Sequence, residues 1–231
     1  KDIHHQKDFY KEFVLPFERK EDRIFVIISD ALRYEAGVEL TELLNKDLRG
    51  SAEVEPMLGV VPSYTKLGMA SLLPRKNIEI DGNGNILVDG INTQGTENRQ
   101  KILKNYSNKA MAIQYNDIVD MNRKEYEDTF VGKKLVYIYH NTIDALGDKA
   151  QTERDVFRGV ETALEDISNL VRRLVNNVSA TNILVTADHG FIYRRFPLEE
   201  WEKIGKKAPN PIDRGRRFIL EENMDDVKGI L

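Results

Sequence analysis

The amino-acid sequence predicts an α/β fold: a doubly wound, mostly parallel central sheet with helices on both faces. Short runs rich in β-branched residues, at 24–29, 135–140 and 182–186, are typical of buried parallel strands. Stretches with apolar residues at helical spacing alternate with these runs, so right-handed crossover connections are expected. Two further short strands near residues 78–88 predict a β-hairpin inserted at an edge of the sheet.

The N-terminal stretch is predicted to be helical. Three phenylalanines spaced four residues apart within 8–18 indicate a helix, which Pro16 is expected to end early. We expect residues 1–20 to be a helical segment from a preceding region and residues 21–231 to form the domain itself.

The first strand is followed by a predicted helix, strand and second helix. Apolar residues at helical spacing predict a helix over 31–44, for which Asp30 is a candidate N-cap. Residues 52–61 are expected to form a strand. A short helix then runs to Leu73, with the hydroxyl of Ser63 or Thr65 as its cap.

The remaining elements follow from the same patterns. Turn residues at 81–85 separate the hairpin strands 78–80 and 86–88, and the polar stretch 90–97 is expected to be a loop. The other expected elements are a helix over 97–104, a strand over 110–114, a helix around 117–127, a strand over 134–139, a long helix over 152–177 and a strand over 183–186.

Composition narrows the class of protein. The 231 residues, 41% of them hydrophobic, suffice for one sizeable core. No run of eighteen apolar residues and no signal peptide is present, so no membrane partner is expected. The absence of cysteine excludes disulfides and thiolate chemistry. A net charge of −4 argues against binding nucleic acid by bulk electrostatics, although bound cations can supply positive charge locally.

Acidic and histidine side chains follow three of the predicted strands where each strand ends. The carboxyl ends of parallel strands meet at one edge of a sheet, where open α/β folds bind ligands. Carboxylates gathered there repel each other unless cations neutralise them, and an O/N ligand set suits zinc or manganese. Two ions about 3.5–4 Å apart would hold the attacking and leaving oxygens of a phosphoryl displacement. The candidate ligands are Asp30, Asp144, Asp148, Asp188 and His189, with His140 close by.

A hydroxyl at a helix start is the natural nucleophile of such a site. A nearby cation lowers the pKa of the hydroxyl, and backbone N–H groups can hold the phosphate oxygens. Thr65 fits this description best, and Ser63, two residues earlier, is the alternative. Arg33 is a candidate contact for a substrate phosphate, or else a surface partner of Glu35 or Asp22.

Three motifs occur in a characteristic order along the chain. They are Ser-Asp-Ala-Leu-Arg-Tyr-Glu at 29–35, Pro-Ser-Tyr-Thr-Lys-Leu-Gly at 62–68 and Thr-Ala-Asp-His-Gly-Phe at 186–191. Together they resemble the PglZ domain, a family of the alkaline phosphatase superfamily that belongs to the bacterial anti-phage defence systems called BREX. The resemblance covers roughly residues 20–220.

The resemblance implies an alkaline phosphatase-like fold and a metal-dependent phosphoester hydrolase, either a phosphatase or a phosphodiesterase, with two divalent ions. It implies phosphoester substrates, nucleotides or nucleic acid among them, other defence-system proteins as partners, and the bacterial or archaeal cytoplasm as location. By the same resemblance, Thr65 attacks phosphorus. One ion is held by Asp30, Thr65, Asp188 and His189, and the other by Asp144 and Asp148.

Two departures from the family's pattern concern the second ion. The superfamily often has a histidine where this chain has Asp148, which favours manganese over zinc. It also takes a further histidine from a later segment, and none follows His189. Both ends of the chain look cut, so we expect that ligand to lie beyond Leu231. The second site would then be incomplete and the activity weak or absent.

Other interpretations of the same residues stay open. The chain is alternatively a catalytically degenerate alkaline phosphatase-like module that serves as a protein-interaction part of a defence complex. Asp188 with His189 is alternatively a turn with a capping carboxylate, and Asp148 a solvated carboxylate or helix cap. His140 is expected to hydrogen-bond a ligand carboxylate rather than to bind the ion.

Overall fold

The computed structural model describes residues 3–47, 50–147, 156–190, 211–215 and 218–221. The strands in this part of the chain are β1 (His4–His5), β2 (Ile24–Ser29), β3 (Met57–Leu58), β4 (Ile78–Ile80), β5 (Ile86–Val88), β6 (Ile91–Asn92), β7 (Ala110–Gln114), β8 (Leu135–His140), β9 (Ile183–Thr186), β10 (Asp213–Arg214) and β11 (Ile219–Leu220). The α-helices are α1 (Leu15–Arg19), α2 (Tyr34–Asp47), α3 (Thr65–Ser71), α4 (Thr96–Tyr106), α5 (Tyr115–Ile118), α6 (Arg123–Phe130), α7 (Thr142–Gly147) and α8 (Val156–Val178).

The central sheet has four parallel strands in the order β7-β8-β2-β9. Ile27 of β2 lies opposite Ile138 of β8 on one side and Val185 of β9 on the other. The inner strands β2 and β8 are buried along their whole length, as their continuous apolar runs predict. The chain passes from β2 to β7 and β8 on one side and returns to β9 on the other. The carboxyl end of β2 is therefore a switch point of the topology, where open α/β sheets bind ligands.

Two hydrophobic cores cover the two faces of this sheet. Phe25 and Ile27 of β2 pack in the core formed with α2, α6 and α8. Ile24, Val26 and Ile28 pack in the other core, which includes α3, α4 and residues of the N-terminal segment. Successive side chains of a strand point to opposite faces, so one apolar strand serves both cores. The predicted doubly wound α/β sheet is confirmed.

The predicted hairpin is confirmed, with β4 and β5 antiparallel, but it belongs to a sheet of its own rather than to an edge of the central sheet. At its turn, the carboxylate of Asp81 accepts hydrogen bonds from the backbone N–H groups of Asn83 and Asn85, at 2.9 and 2.8 Å. The expectation of a loop over 90–97 is wrong. Strand β6 pairs with β5 as a third antiparallel strand, and α4 already begins at Thr96.

Two elements after the first strand differ from expectation. Helix α2 begins at Tyr34 rather than at residue 31, because Ala31 adopts a left-handed conformation with φ of 64°. Asp30 is therefore not its N-cap. The strand predicted over 52–61 is reduced to β3, since only the two-residue β1 pairs with it.

The N-terminal segment is a series of helical turns. A 3-10 turn (Gln6–Asp8) and a π-helix (Tyr10–Val14) lead into α1. Pro16 stands in the first turn of α1, where a missing N–H is tolerated, so the prediction that it ends a helix is wrong. Phe9 and Val14 are buried in the same core as α3. None of the helices in the described ranges is long and apolar enough to cross a membrane.

Candidate metal centre

The carboxyl edge of the sheet gathers most of the predicted site residues. Asp30 follows β2, Asp188 follows β9, and Asp144 lies in the first turn of α7, which comes just after β8. Ligand atoms of Asp30, Asp144 and His189 all lie within 4.8 Å of one another. Three neighbouring strands thus supply one set of oxygen and nitrogen atoms at the switch point of the topology.

The Nε2 atom of His189 is the common neighbour of three other side chains. It lies 3.4 Å from Oδ1 of Asp30 and 3.5 Å from Oδ2 of Asp188. It also lies 3.0 Å from Oγ1 of Thr65. Four side chains from three separate segments of the chain converge on one small volume.

The other ring nitrogen of His189 fixes its tautomer. Nδ1 lies 2.8 Å from the carbonyl oxygen of Gly190. A carbonyl oxygen can only accept a hydrogen bond, so Nδ1 carries the proton and donates. In the neutral ring, Nε2 then presents a lone pair to Thr65 and to the carboxylates of Asp30 and Asp188. A lone pair that faces two carboxylates is repelled unless a proton or a cation lies among them.

Both buried carboxylates keep one oxygen unsatisfied. Asp30 and Asp188 are 4% and 1% exposed, and Oδ1 of Asp30 and Oδ2 of Asp188 have no hydrogen-bond partner among the described residues. The other oxygen of Asp188 accepts from the backbone N–H groups of Ala31 and His189. Burial raises the pKa of both carboxyls, and Asp188 and Asp144 add to the effect at Asp30. Orphaned buried oxygens beside a histidine lone pair fit a divalent cation, which favours their charged form.

Thr65 is the first residue of α3, and Tyr64 precedes it as an N-cap that makes no side-chain hydrogen bond. The expected capping of this helix by Ser63 or Thr65 is therefore wrong. The hydroxyl of Thr65 instead lies beside His189. Ser63, the alternative nucleophile, is an exposed residue.

Two further candidates lie at the edge of the cluster or outside the described part of the chain. Arg33 forms an ion pair with Glu35, one of the partners considered for it. Its Cγ lies 3.8 Å from where a side chain on Gly190 would begin, so Arg33 is close to His189. Its contact with a phosphate stays a prediction. Asp148 lies outside the described residues.

His140 has a different partner from the one expected. Its ring is buried, with Nδ1 3.0 Å from Oγ of Ser29 and Nε2 3.2 Å from Oδ2 of Asp166. None of the predicted ligand carboxylates is among these contacts. The reason is strand alternation: His140 has the parity of Val136 and Ile138, whose side chains pack in the core that contains α8, the helix of Asp166.

Sequence reasoning missed two residues that hold the cluster together. Gln6 is 2% exposed, and its Nε2 donates to the carbonyl oxygens of Asp188 (2.6 Å) and Ala187 (3.1 Å) while its Oε1 accepts from the N–H of Val60 (2.9 Å). Gly68 of α3 lies so close to Asp188 that a side chain would overlap the Asp188 carbonyl oxygen. A glycine inside a predicted helix is a signal of such close packing. Nothing in the sequence around Gln6 marks its role.

Comparisons with known proteins show the family to which the chain belongs. A family described as the BREX system PglZ alkaline phosphatase-like domain matches residues 9–231. The chain is 49% identical over 226 residues to the alkaline phosphatase-like protein PglZ of Bacillus cereus (strain H3081.97), covering 98% of this chain and 26% of that protein. It is 44% identical over 221 residues to the alkaline phosphatase-like protein BrxZ of Escherichia coli O9:H4 (strain HS), covering 93% of this chain and 25% of that protein.

The chain thus spans about a quarter of the length of these curated relatives. The family match extends over nearly all of it and includes every residue of the cluster around His189. A parallel sheet with helices on both faces agrees with the family's description as alkaline phosphatase-like. The chain belongs to the PglZ family of BREX alkaline phosphatase-like domains.

Proposed function

We propose that this domain hydrolyses phosphoesters with Thr65 as the nucleophile, beside a divalent cation held by Asp30, Asp188, His189 and Thr65. Zinc or manganese suits these oxygen and nitrogen ligands. The observation that carries the proposal is the distance of 3.0 Å between Oγ1 of Thr65 and Nε2 of His189. Two buried carboxylate oxygens without a hydrogen-bond partner in the described part of the chain lie beside this pair.

The cation, when bound, would lower the pKa of the Thr65 hydroxyl and offset negative charge on the phosphoryl oxygens. Oγ1 of Thr65 forms the new bond to phosphorus while the bond from phosphorus to the ester oxygen breaks. The proton of Thr65 passes to solvent, and the leaving oxygen takes a proton from solvent. Gly190 keeps the proton of His189 on Nδ1, so that Nε2 stays turned toward Thr65. Water then hydrolyses the phosphothreonine and restores the hydroxyl.

A second cation is part of the proposal, with Asp144 and Asp148 as its ligands. Asp144 supports it, because a carboxylate oxygen of Asp144 lies within 4.8 Å of ligand atoms of Asp30 and His189. Two neighbouring cations suit a displacement at phosphorus, since one can stabilise each of the two reacting oxygens.

The family description and the names of the two relatives support a role in a BREX system. Other proteins of that system are the proposed partners, and the cytoplasm is the proposed location. The proposed substrates are phosphoesters, with nucleotides and nucleic acid as candidates. Because the chain spans about a quarter of its relatives, the activity and substrates of the whole protein belong to the same proposal.

The test is hydrolysis of p-nitrophenyl phosphate and bis(p-nitrophenyl) phosphate by the full chain loaded with zinc or manganese. Thr65→Ala is expected to lower turnover by at least roughly a thousandfold, because no other group replaces the lost nucleophile. Elemental analysis after desalting is expected to find nearly the metal content of the unchanged chain. Ser63→Ala is the matched control, since it removes a neighbouring exposed hydroxyl, and it is expected to keep turnover.

Each component of the proposal has its own contradicting result. Turnover that survives Thr65→Ala and is lost in Ser63→Ala would transfer the nucleophile to Ser63. A chain that retains both cations and hydrolyses neither ester would favour the non-catalytic interaction module. A chain that retains no metal at all would contradict the ligand set.

A further inference from the structure

A polar network adjoins the metal cluster. Its members Ser29 and His140 are buried, and Tyr115, Thr142 and Asp166 are half-buried. Nε2 of His140 lies 3.2 Å from the Asp166 carboxylate and 2.9 Å from the Thr142 hydroxyl. It carries the ring proton and donates, because a carboxylate can only accept and the Thr142 hydroxyl gives its own proton to Asp166. Nδ1 of His140 must then accept, and the hydroxyl of Ser29 donates to it at 3.0 Å. Burial lowers the pKa of His140, which agrees with a neutral ring that donates at one nitrogen and accepts at the other.

Asp166 collects hydrogen bonds from three different elements. Besides His140 at the end of β8, its carboxylate accepts from the hydroxyl of Tyr115 in α5 at 3.1 Å and from the hydroxyl of Thr142 in α7 at 3.1 Å. The Tyr115 ring also packs edge-on against the His140 ring, with centroids 4.9 Å apart. One carboxylate on α8 therefore joins three segments that carry or border the cluster.

Both ends of this network adjoin proposed metal ligands. Ser29 is the residue directly before Asp30, and the backbone N–H of Asp30 donates to the carbonyl oxygen of His140 at 2.8 Å. Thr142 is the first residue of α7, whose first turn contains Asp144. The two carboxylates come from different segments of the chain, and the network joins those segments through side chains.

We propose that Asp166, acting through His140 and Thr142, is a positioning residue that sets the separation of Asp30 and Asp144. It touches neither substrate nor cation. Side chains that orient metal ligands in this way typically change metal affinity by about 10–100-fold when they are removed. The inference rests on the proposed function, because it takes Asp30 and Asp144 as cation ligands.

The first variant is Asp166→Asn, which keeps the shape of the side chain but directs an amide N–H₂ group at one of the three donors. Zinc and manganese affinities, measured by competition with a chromophoric chelator, are expected to fall by about tenfold. Glu165→Gln is the matched control: it makes the same charge change at the neighbouring, exposed position of α8 and is expected to leave affinity within about twofold.

A double-mutant cycle separates positioning from a general loss of stability. If Asp166 acts through the separation of Asp30 and Asp144, Asp166→Asn is expected to weaken metal binding much less in a chain that already carries Asp144→Asn. Equal losses in both backgrounds would overturn the inference, and so would an affinity for Asp166→Asn equal to that of Glu165→Gln.

Thr142→Val is a milder second variant in case Asp166→Asn does not fold. It keeps the side-chain volume, removes one hydroxyl from the network, and is expected to weaken metal binding by a few fold. Unchanged affinity in a folded Thr142→Val chain would overturn the inference. These measurements are distinct from turnover: hydrolysis that survives Thr65→Ala would refute the proposed nucleophile while leaving the affinity results unaffected.

Discussion

At the scale of single residues, Gly68 shows how tightly the proposed nucleophile helix packs on a proposed ligand. Helix α3 carries Thr65 at its start, and Gly68 lies one turn later against the backbone of Asp188. The absence of a side chain allows this approach, and it brings Thr65 to the same place as His189. The close packing against Asp188 thus explains why a glycine stands at position 68 of the motif at 62–68.

Gly68→Ala is expected to destabilise the fold by about 1–3 kcal/mol, because the new methyl group overlaps the Asp188 carbonyl oxygen. The sign is informative, since alanine inside a helix would otherwise stabilise by about 1 kcal/mol relative to glycine. Urea unfolding measures the change, and metal affinity is expected to fall with it. Gly82→Ala is the control, as no atom of the described residues, apart from its chain neighbours, lies within 4 Å of the added Cβ. A stabilised Gly68→Ala chain would contradict the close packing.

At the scale of secondary-structure elements, Gln6 joins the N-terminal segment to the tip of β9 and to the chain that leads to α3. Within the described part of the chain, the three polar contacts of its amide are all to backbone atoms: the carbonyl oxygens of Ala187 and Asp188 and the N–H of Val60. A fully buried amide with all these bonds formed fixes the relative position of three segments. The N-terminal turns therefore contribute to the site as well as to the core.

Gln6→Glu has nearly the same shape but replaces the donor group with an oxygen that faces two carbonyl oxygens. We expect the unfolding free energy to drop by at least about 2 kcal/mol, the cost of buried acceptors left unpaired. The affinity for zinc is expected to drop as well. Gln94→Glu, at an exposed position, serves as the control and is expected to change stability by less than about 0.5 kcal/mol. Equal stability of the two variants would refute the role of Gln6.

The sequence could predict the elements whose bounds depend on local residues, and it failed for those whose bounds depend on contacts with distant parts of the chain. Strands β7 and β9 were predicted with their observed bounds, because their apolar runs have clear polar borders. The strand over 52–61 was mostly wrong, since pairing with the two-residue β1 decides its length. The start of α2 was misplaced because Ala31 donates its N–H to Asp188, 157 residues away.

The candidate site shows the same difference between what the sequence could and could not predict. The sequence could predict that Asp30, Asp188 and His189 lie close together, because they come shortly after the ends of recognisable strands and parallel strands end at one edge. The roles of Gln6 and Asp166 were not, because they depend on which surfaces pack together. The partners of Gln6 just after β9, Ala187 and Asp188, lie more than 180 residues along the chain.

At the scale of the whole molecule, the ionised carboxylates buried at Asp30 and Asp188 lower the stability of the fold, and a bound cation offsets this loss. Burial raises the folded-state pKa of Asp30 above its ordinary value of 3.8, so folding favours the protonated carboxyl. Such a group contributes its full stabilisation at pH values below its pKa in the unfolded chain. This contribution is lost as the pH rises through its pKa in the folded chain. Without metal, the contribution of Asp30 should therefore make the chain less stable as pH rises.

Thermal unfolding between about pH 5 and pH 9 tests this expectation. With a chelator present, Asp30→Asn is expected to gain stability relative to the unchanged chain as pH rises, and Asp120→Asn, at an exposed position, is not. Zinc or manganese at about 100 times its dissociation constant should stabilise the unchanged chain by about 2.7 kcal/mol and Asp30→Asn by much less. A metal effect of equal size in both chains would contradict the role of Asp30.

The order of strands in the central sheet has a consequence for how the protein is made. Strand β2 is synthesised early, and its neighbours β8 and β9 follow much later. The hydrogen bond of Ser29 can form only after His140, 111 residues later, has been made, and that of Ala31 only after Asp188. Sheets built from such distant pairings fold slowly. Until both neighbours have emerged from the ribosome, the run Ile24–Ser29 is an apolar strand with two open edges, the kind of segment that chaperones cover and that aggregates when they do not.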